Sequence, residues 1–522
     1  MITGRSIAKG ALIVMAATLL SRLLGVFREI KIAEYFGLKG AYDAYLVAYS
    51  IPSGVGMALA AAISAGFIPV LNSYLVQNDE ENATTVANTL LNSLFTALAV
   101  LTAAGNLFAP MLAKRLAPGF QGDSVALTIE LIRIMFPGLI FFSLMGLASG
   151  FLNSRQHFLF PALGPTVSSV VIIASVVIFG KTLGIKGLAV GTVVGCIGQL
   201  LIQVPVMYKK GFRYKPELAL FHPGVSKVFK LAVPVLIASL VPPLMVLVER
   251  GLASRLSTGS ISALNYAFRL MQLPQGLFVM AVAVPLFPAL STFAAQKDYA
   301  RLRETMLKGI NVLALIMIPA SAGLIALDEP IVRLLFQRGA FEAKDTIPTA
   351  YALAFYALAL LPLAVRDVFR RGFYALQDTL TPVKITVAAC VLNIALDVLL
   401  VKEMGIGGIA LGAAVSTFTE AAVLYFLING RLKELPGTAF AVFLGKLVAA
   451  SLVMGVFAHY AADFVGMHIN LAAARGKMLQ VGISVVVGLI VYFGAIILLR
   501  VREVWEALDL VGGFFRRMHG MR

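Results

Sequence analysis

The sequence predicts an all-α protein that crosses a membrane many times. The chain has 522 residues, of which 59% are hydrophobic and only 13% are charged, whereas a soluble domain is about 25% charged. Its mean hydropathy is +0.90. Apolar runs of about 20 residues, long enough to span a bilayer, recur along the whole chain. An internal repeat divides most of these runs into two matching sets, so we predict two pseudo-symmetric six-helix lobes followed by two further helices.

We count about fourteen candidate membrane-spanning helices. The predicted spans are 7–33, 42–72, 86–113, 126–152, 158–181, 187–208, 226–254, 260–292, 304–327, 346–374, 380–401, 406–429, 438–462 and 477–500. The second and eighth spans are long and contain Pro52 and Pro274, so we expect kinks there, because proline removes a helical hydrogen bond.

The internal repeat has a period of about 221 residues. The matching blocks are GIKGLAVG (184–191) with GIGGIALG (405–412), Gly150-Phe151 with Gly372-Phe373, Pro161 with Pro382, IPSG (51–54) with LPQG (273–276), and FIPVL (67–71) with LFPAL (286–290). Six spans per copy, an even number, give both copies the same orientation. Parallel repeats predict a pseudo-two-fold axis along the membrane normal and a site between the halves. The predicted domains are a first lobe over 1–215, a second lobe over 216–435, and a third part, 436–522, with two extra spans and an amphipathic cytoplasmic tail.

The charge distribution predicts the orientation and excludes several functions. The formal charge of +17 is explained by basic loops such as those at Lys209, Lys210 and Arg213, since cytoplasmic loops of membrane proteins collect Lys and Arg. We therefore expect both termini in the cytoplasm and no nucleic-acid partner. The two cysteines and five histidines show no metal-ligand spacing, and there is no phosphate-binding or dinucleotide motif.

Two arginines in the first span indicate an anionic ligand. A charge near the bilayer centre costs roughly 2.5–3.5 kcal/mol and usually faces a water-filled cavity or a partner. Arg22 and Arg28 point about 120° apart on a helix, so both can border one broad cavity, and Arg269 lies in the matching region of the second half. Guanidinium forks suit phosphate. The structural alternative is that Arg28 pairs locally with Glu29 or Asp43, or reaches to the interface.

Other intramembrane polar residues allow two interpretations each. Asp43 either balances the arginines and acts in gating, or caps a helix at the outer surface. Glu249 ends an apolar stretch beside Arg250, where an ion pair is the simpler interpretation. Asn393 and Asp397 lie four residues apart on one helix face, and their oxygens suit Na⁺ or H⁺ coupling. A polar pair holding helices together is the alternative.

Charged residues near the ends of the chain's later spans are assigned structural roles. Arg366, Asp367, Arg370 and Arg371 are most simply an anchor at the inner interface. The final stretch, VREVWEALDLVGGFFRRMHGMR, is typical of an amphipathic helix lying on the inner leaflet.

Three segments resemble one known family. SRLLGVFRE, YDAYLVAYSIP and YAFRLMQLPQG with PLFPALS are similar to the MurJ (MviN) family of lipid II flippases, in the multidrug/oligosaccharidyl-lipid/polysaccharide exporter superfamily. The resemblance runs from about residue 5 through the fourteenth span. It implies fourteen helices in the bacterial cytoplasmic (inner) membrane and movement of undecaprenyl-pyrophosphate-linked peptidoglycan precursor from the inner to the outer leaflet.

The resemblance also implies roles for individual residues. The substrate-binding residues implied are Arg22, Arg28, Glu29, Asp43, Ser262 and Arg269. Some members bind Na⁺, and the residues resembling that site are Glu249, Asn393 and Asp397. A threonine of that site falls on Ala413, for which Ser416 or Thr417 would substitute. An arginine that many members carry after the proline of helix two falls on Gly56.

We therefore predict a non-enzymatic lipid II flippase that works by alternating access as a monomer, surrounded by membrane lipids and coupled to Na⁺ or the membrane potential. Gly56 leaves open a flippase for another lipid-linked oligosaccharide. A cation-coupled drug exporter would need carboxylates rather than arginines in the first lobe, and an enzyme acting on polyprenyl phosphates would need clustered acids or a nucleophilic histidine. A scaffold for cell-wall synthesis would need neither the intramembrane charges nor the repeat.

Overall fold

The computed structural model describes residues 4–432 and 438–501. Every regular element in these two ranges is a helix, which confirms the predicted fold class. The amphipathic tail helix predicted for the end of the chain lies outside the described residues. Packing divides the chain into two compact units, Met1–Ser262 with Arg338–Phe341, and Ala263–Gln337 with Glu342–Arg522. The lobe boundaries predicted from the repeat stay a prediction.

The first unit is built from ten helices in the described part of the chain. They are α1 (Gly4–Phe36), α2 (Gly40–Val76), α3 (Glu80–Leu107), α4 (Ala109–Leu116), α5 (Asp123–Met135), α6 (Gly138–Ser154), α7 (Leu159–Phe179), α8 (Ile185–Leu201), α9 (Val204–Lys209) and α10 (Pro223–Ala253). The long helix α2 packs against both α6 and α10. Its buried Phe67 and Leu71 contact a cluster that includes Leu90 of α3 and Phe151 of α6. Burial of such side chains is worth about 1.5–3 kcal/mol each when water is the alternative.

The second unit contains the remaining helices. The boundary between the units falls inside α11, after Ser262. They are α11 (Ser260–Pro274), a π-helix (Gln275–Val279), α12 (Met280–Ala295), α13 (Tyr299–Ala326), α14 (Asp328–Phe336), α15 (Ala343–Ala357), α16 (Leu360–Ala375), α17 (Leu380–Met404), α18 (Ile406–Leu432), α19 (Thr438–His468) and α20 (Ala474–Leu498). The two extra helices, α19 and α20, pack on each other and on α13. There Tyr492 donates a hydrogen bond to the Leu315 carbonyl at 2.9 Å.

Eleven helices in the described ranges are long and apolar enough to cross a membrane, or twelve if the pair α15–α16, bent by 40°, counts as one span. The other two predicted spans also fold as helix, in α1 and in the segment from α11 to α12. Length and composition therefore establish a multi-pass protein without establishing the predicted total of fourteen. The kink expected at Pro274 coincides with the π-helix that follows it, whereas α2 continues without interruption through Pro52.

The internal repeat is visible in the turns between helices. Positive-φ residues recur in pairs separated by 217 to 222 residues, namely Gly37 with Gly259, Asn78 with Lys297, Gly122 with Gly339, Gln156 with Gln377, and Gly184 with Gly405. Helix starts recur as well, since Asp79 caps α3 and Asp298 caps α13 through the backbone amide three residues further on. Packing follows the same scheme, with α6 and α7 on α8 in one unit and α16 and α17 on α18 in the other. The two copies of the repeat thus share one helical design, although α10, which lies one repeat period after α1, belongs to the first compact unit.

Candidate functional site

Arg28 and Glu29 form an ion pair on α1. Arg28 Nη2 lies 2.8 Å from Glu29 Oε1, and Tyr42 on α2 donates to the other oxygen of Glu29 at 3.4 Å. Tyr45 stacks between Tyr42 and Tyr49, with ring centroids 5.7 and 5.8 Å away. The local pairing considered for Arg28 is therefore present. It leaves donors for another anion, because a guanidinium has five N–H groups and the Arg28 side chain is 23% exposed.

Arg22 lies six residues before Arg28 on the same helix. Its side chain is half-buried and makes no hydrogen bond or ion pair with any residue that the structure describes. An arginine is charged under all physiological conditions, and a charge in a membrane helix needs water or an anion beside it. Arg22 is thus a cation inside a membrane protein whose counter-ion the described chain does not supply.

Asp43 binds the backbone at the start of α11. Its side chain is buried, with 3% of its surface exposed. One oxygen accepts from the Gly259 amide at 2.6 Å, and the other accepts from the amide and hydroxyl of Ser262 at 2.8 and 2.5 Å. A carboxylate at this place satisfies amides that the first turn of a helix leaves without partners. Asp43 therefore caps α11, 216 residues further along the chain, rather than its own helix α2.

Glu249 and Arg250 lie near the end of α10, where α10 packs on α2. Arg250 donates to the Leu46 carbonyl and to the Ser50 hydroxyl, both on α2. Glu249 is half-buried beside it. These contacts give Arg250 a partner on another helix, beyond the interfacial ion pair expected from the sequence.

Arg269 lies on α11, in the second unit. Its Nη1 donates to the Gln272 side chain at 3.4 Å, one turn further along the helix. This contact helps to orient the Arg269 side chain along α11.

Asn393, Asp397 and Ser416 come together where α17 packs on α18. The buried residues of α17 are Pro382, Asn393 and Asp397, so the polar pair faces the packed side of the helix. Asn393 Nδ2 donates to the Ser416 hydroxyl at 3.2 Å. The absence of a side chain at Gly412 lets α18 approach, because a Cβ there would lie 2.3 Å from Asp397 Oδ1.

The oxygens of this group fit a hard cation. Asn393 Oδ1 is buried and accepts no hydrogen bond from the described residues, and an amide oxygen and a carboxylate are ligands that such ions prefer. Ser416, considered as a substitute for the missing threonine, contacts Asn393, whereas Thr417 donates to the Ala413 carbonyl. Within residues 4–432 and 438–501, no group of three or more His, Cys, Asp or Glu side chains is placed to hold a metal.

Gly56 occupies a close contact between α2 and α6. A Cβ added there would lie 2.6 Å from the Cβ of Phe142, nearer than real Cβ atoms approach. An arginine at this position would have to displace α6. The arginine implied by the resemblance is therefore excluded here by packing.

A charged cluster in the second unit was not assigned a functional role from the sequence. Glu420, on α18, is 3% exposed and contacts Arg366 and Arg370 of α16. These two arginines were expected to be an interfacial anchor, but both bind a buried carboxylate. The available signal was Glu420 itself, an acidic residue inside the apolar run of the twelfth predicted span.

Comparison with known proteins decides the family. The family model described as "Lipid II flippase MurJ" matches residues 32–471, which is most of the chain. The chain belongs to the MurJ family. A lipid II flippase MurJ of Burkholderia cenocepacia is 32% identical over 471 residues, covering 88% of this chain and 91% of that protein. A probable lipid II flippase MurJ of Vibrio cholerae is 31% identical over 433 residues, covering 81% of this chain and 82% of that protein.

Solved structures agree on the fold. One described as "Lipid II flippase MurJ, inward closed conformation" has a TM-score of 0.78 at 24% identity and covers 94% of this chain and 99% of its own. An inward-facing multidrug transporter of the MATE family has a TM-score of 0.69 at 16% identity, covering 81% of this chain and 98% of its own. The MurJ-type helical fold is thus shared with drug transporters, so the fold by itself does not specify the substrate.

Proposed function

We propose that this MurJ-family member translocates lipid II from the inner to the outer leaflet of the bacterial cytoplasmic membrane, and that it does so by alternating access of its two repeats. It acts as a transporter rather than an enzyme, as a monomer, with both termini in the cytoplasm. The proposal is supported by relatives named lipid II flippases that match most of the chain. It is also supported by the repeat, because transporters built from repeats bind substrate near the membrane midplane.

The observation that carries the proposal is Arg22. A half-buried arginine of a membrane helix with no anionic partner in the described chain is suited to an anionic ligand, which would supply the missing counter-ion. The pyrophosphate of a lipid-linked precursor supplies two phosphate groups, each of which a guanidinium binds through two parallel hydrogen bonds. A cationic drug would be repelled by the same residue.

The other predicted binding residues divide into two roles. Arg28, oriented by Glu29, offers further guanidinium donors to the pyrophosphate, and Arg269, oriented by Gln272, stays a predicted binding residue of the second unit. Asp43 and Ser262 act indirectly, because their side chains bind each other at 2.5 Å and so fix the start of the helix that carries Arg269. Glu29 likewise serves to hold Arg28 in place.

Arg22→Gln tests the substrate class. We expect the purified variant, in liposomes, to translocate lipid II at least 10-fold more slowly than the unmodified protein, because the neutral amide cannot bind phosphate through a charged fork. Arg22→Lys is expected to be intermediate, since a lysine keeps the charge and loses the fork. The measurement is the appearance of fluorescent lipid II in the outer leaflet, followed by a membrane-impermeant quencher.

The control for this experiment is Arg301→Gln, which removes an arginine whose side chain is 68% exposed at the start of α13. Arg301→Gln should translocate lipid II at the unmodified rate. If Arg22→Gln also keeps the full rate, in protein that inserts and folds normally, arginine recognition of the pyrophosphate is wrong.

Coupling to Na⁺ is the second part of the proposal. Asn393 and Asp397 would hold the ion, which supplies a positive charge that moves with the transport cycle, and the role of Glu249 in this site stays a prediction from the resemblance. Moving one charge through the membrane potential is worth roughly 2.3 kcal/mol per 100 mV. We expect Na⁺ to raise the melting temperature of the protein and Asp397→Asn to abolish that rise. The control Asn82→Ala lies outside this group and should keep the rise in melting temperature with Na⁺. An equal rise with K⁺ and with Na⁺ in the unmodified protein would contradict a Na⁺ site.

Gly56 is the observation that left another lipid-linked oligosaccharide open as the substrate in the sequence analysis. Many family members carry an arginine at the position of Gly56. Here that glycine packs against Phe142, so this chain has one arginine fewer than those members. A competition experiment tests this alternative. If the chain is specific for a different glycan, that lipid-linked oligosaccharide should inhibit the translocation of fluorescent lipid II more strongly than unlabelled lipid II does.

A further inference from the structure

Glu420 lies at the centre of a charged network inside the second unit. Arg370 Nη2 lies 2.5 Å from Glu420 Oε1, and Arg366 Nη1 lies 3.3 Å from Oε2. The Thr386 hydroxyl of α17 also contacts Oε1, at 2.8 Å. Arg366 and Arg370 are one turn apart on α16, so both guanidinium groups converge on one carboxylate.

The internal repeat provides a comparison within the same chain. The position of Glu420 in α18 corresponds, at the offset of the GIKGLAVG and GIGGIALG blocks, to Gln199 in α8. The helix corresponding to α16 is α6, whose sequence GLIFFSLMGLASGFLNS contains no charged residue. The same packing arrangement is therefore built with neutral side chains in one copy and with a buried ionic network in the other.

This difference argues against a purely structural role for the charges. Burying ions costs desolvation energy, and neutral side chains of similar size often give equal or greater stability. The first unit shows that this fold accommodates a neutral version. At the same offset, Arg366 and Arg370 correspond to Met145 and Ser149. Retaining two arginines in the second unit is explained if they bind something that a methionine and a serine cannot.

The network has more donors than acceptors. The Nε atoms of Arg366 and Arg370 are buried and find no hydrogen-bond acceptor among the described residues. Arg366 Nη2 also lies 3.5 Å from Asp367 Oδ1, so the two arginines and the two carboxylates in contact balance in charge while guanidinium donors remain unused. The side chains of Arg366 and Arg370 are 18% and 23% exposed, so neither side chain is fully enclosed.

We infer that Arg366 and Arg370 form a second anion subsite, that its ligand is a phosphate or pyrophosphate group, and that Glu420 occupies the two arginines while the subsite is empty. The inference rests on the proposed function, in which a lipid pyrophosphate is transported. A phosphate bound through guanidinium forks replaces the carboxylate, and Glu420 is released from α16. The subsite is separate from Arg22 and Arg28, which belong to the other unit.

Glu420→Gln tests the competition between carboxylate and phosphate. The substitution keeps the shape of the side chain and copies Gln199 of the first unit, but it removes the internal anion. It is made in a chain that already carries Arg22→Gln and Arg28→Gln, so binding is measured without the first-unit arginines. We expect inorganic pyrophosphate to bind at least 10-fold more tightly after Glu420→Gln, measured by calorimetry on the full chain in nanodiscs of neutral lipid. We also expect the gain to vanish in Glu420→Gln/Arg370→Gln, which removes one of the two guanidinium groups, while Arg366 keeps Asp367 at 3.5 Å.

A matched control tests whether releasing an arginine from its carboxylate anywhere in the protein is enough to raise the affinity for pyrophosphate. Glu80→Gln releases Arg155, which pairs with Glu80 at 2.6 Å where the glutamate is 56% exposed, and it should leave pyrophosphate affinity unchanged. An equal gain from Glu80→Gln, or an affinity within twofold of the parent after Glu420→Gln, would overturn the inference. Neither result concerns lipid II translocation by the unmodified chain. The failure of this inference would therefore be distinguishable from a failure of the proposed function.

Nanodiscs containing undecaprenyl pyrophosphate distinguish a lipid head group from a free anion as the ligand. If the lipid is the source, it should compete with inorganic pyrophosphate in the Glu420→Gln chain, with an apparent affinity loss of at least 10-fold. Unchanged pyrophosphate binding in those nanodiscs would assign the subsite to a soluble phosphate compound, and the anion subsite itself would be upheld.

Discussion

Asp43→Ala is expected to destabilise the protein by about 3–5 kcal/mol and to abolish translocation. The Asp43 carboxylate accepts three hydrogen bonds, two from backbone amides and one from the Ser262 hydroxyl, at a position that is 3% exposed. Each buried donor left without an acceptor costs about 1–3 kcal/mol. The start of α11 loses its cap, and the helix that carries Arg269 loses its fixed position.

Two milder substitutions show whether the loss follows the hydrogen bonds. Ser262→Ala removes one donor and leaves both amide bonds, so we expect a destabilisation of about 1 kcal/mol. Asp43→Asn keeps one carbonyl acceptor and should fall between the two. Melting temperature and lipid II translocation are measured on the same samples. A variant Asp43→Ala that melts normally but fails to translocate would assign Asp43 to direct substrate contact instead of helix capping.

The features that were predictable from the sequence are those with a local or periodic cause. Helical spans follow from apolar runs of a fixed length, and the repeat follows from blocks such as GIKGLAVG that recur at one offset. The turn glycines Gly184 and Gly405, with φ of 57° and 55°, begin those blocks in both copies. Asn393 and Asp397 were placed on one helix face by their spacing alone, and the structure buries both.

The features that the sequence does not reveal depend on contacts between distant segments. Asp43 was expected either to act in gating or to cap a helix, but its spacing could not identify Gly259 and Ser262 as partners. In the sequence, Arg366 and Arg370 are typical of an interfacial anchor. In the structure, both contact Glu420 of α18. In each case the sequence shows a charged side chain. Its role depends on a hydrogen-bond partner that lies 50 or more residues away along the chain.

Gly56→Arg should prevent folding, although it restores the arginine found in many family members. A Cβ at position 56 would lie 2.6 Å from Phe142 Cβ, and the remaining atoms of arginine would enter the contact between α2 and α6. Overpacking of this kind, together with burial of an unpaired charge, costs about 5 kcal/mol or more. We expect the variant to be absent from the folded fraction in size-exclusion chromatography of detergent extracts.

The neighbouring Met57 provides the matched control, because its side chain is 59% exposed on the same helix. Met57→Arg adds the same charge one residue away without the clash and should yield folded protein. If Gly56→Arg instead folds and raises the rate of lipid II translocation, α6 can move aside, and the missing arginine marks a difference in substrate rather than a constraint of packing. If it does not fold, packing explains why position 56 carries no arginine in this chain, and the proposed binding of the pyrophosphate depends on other arginines.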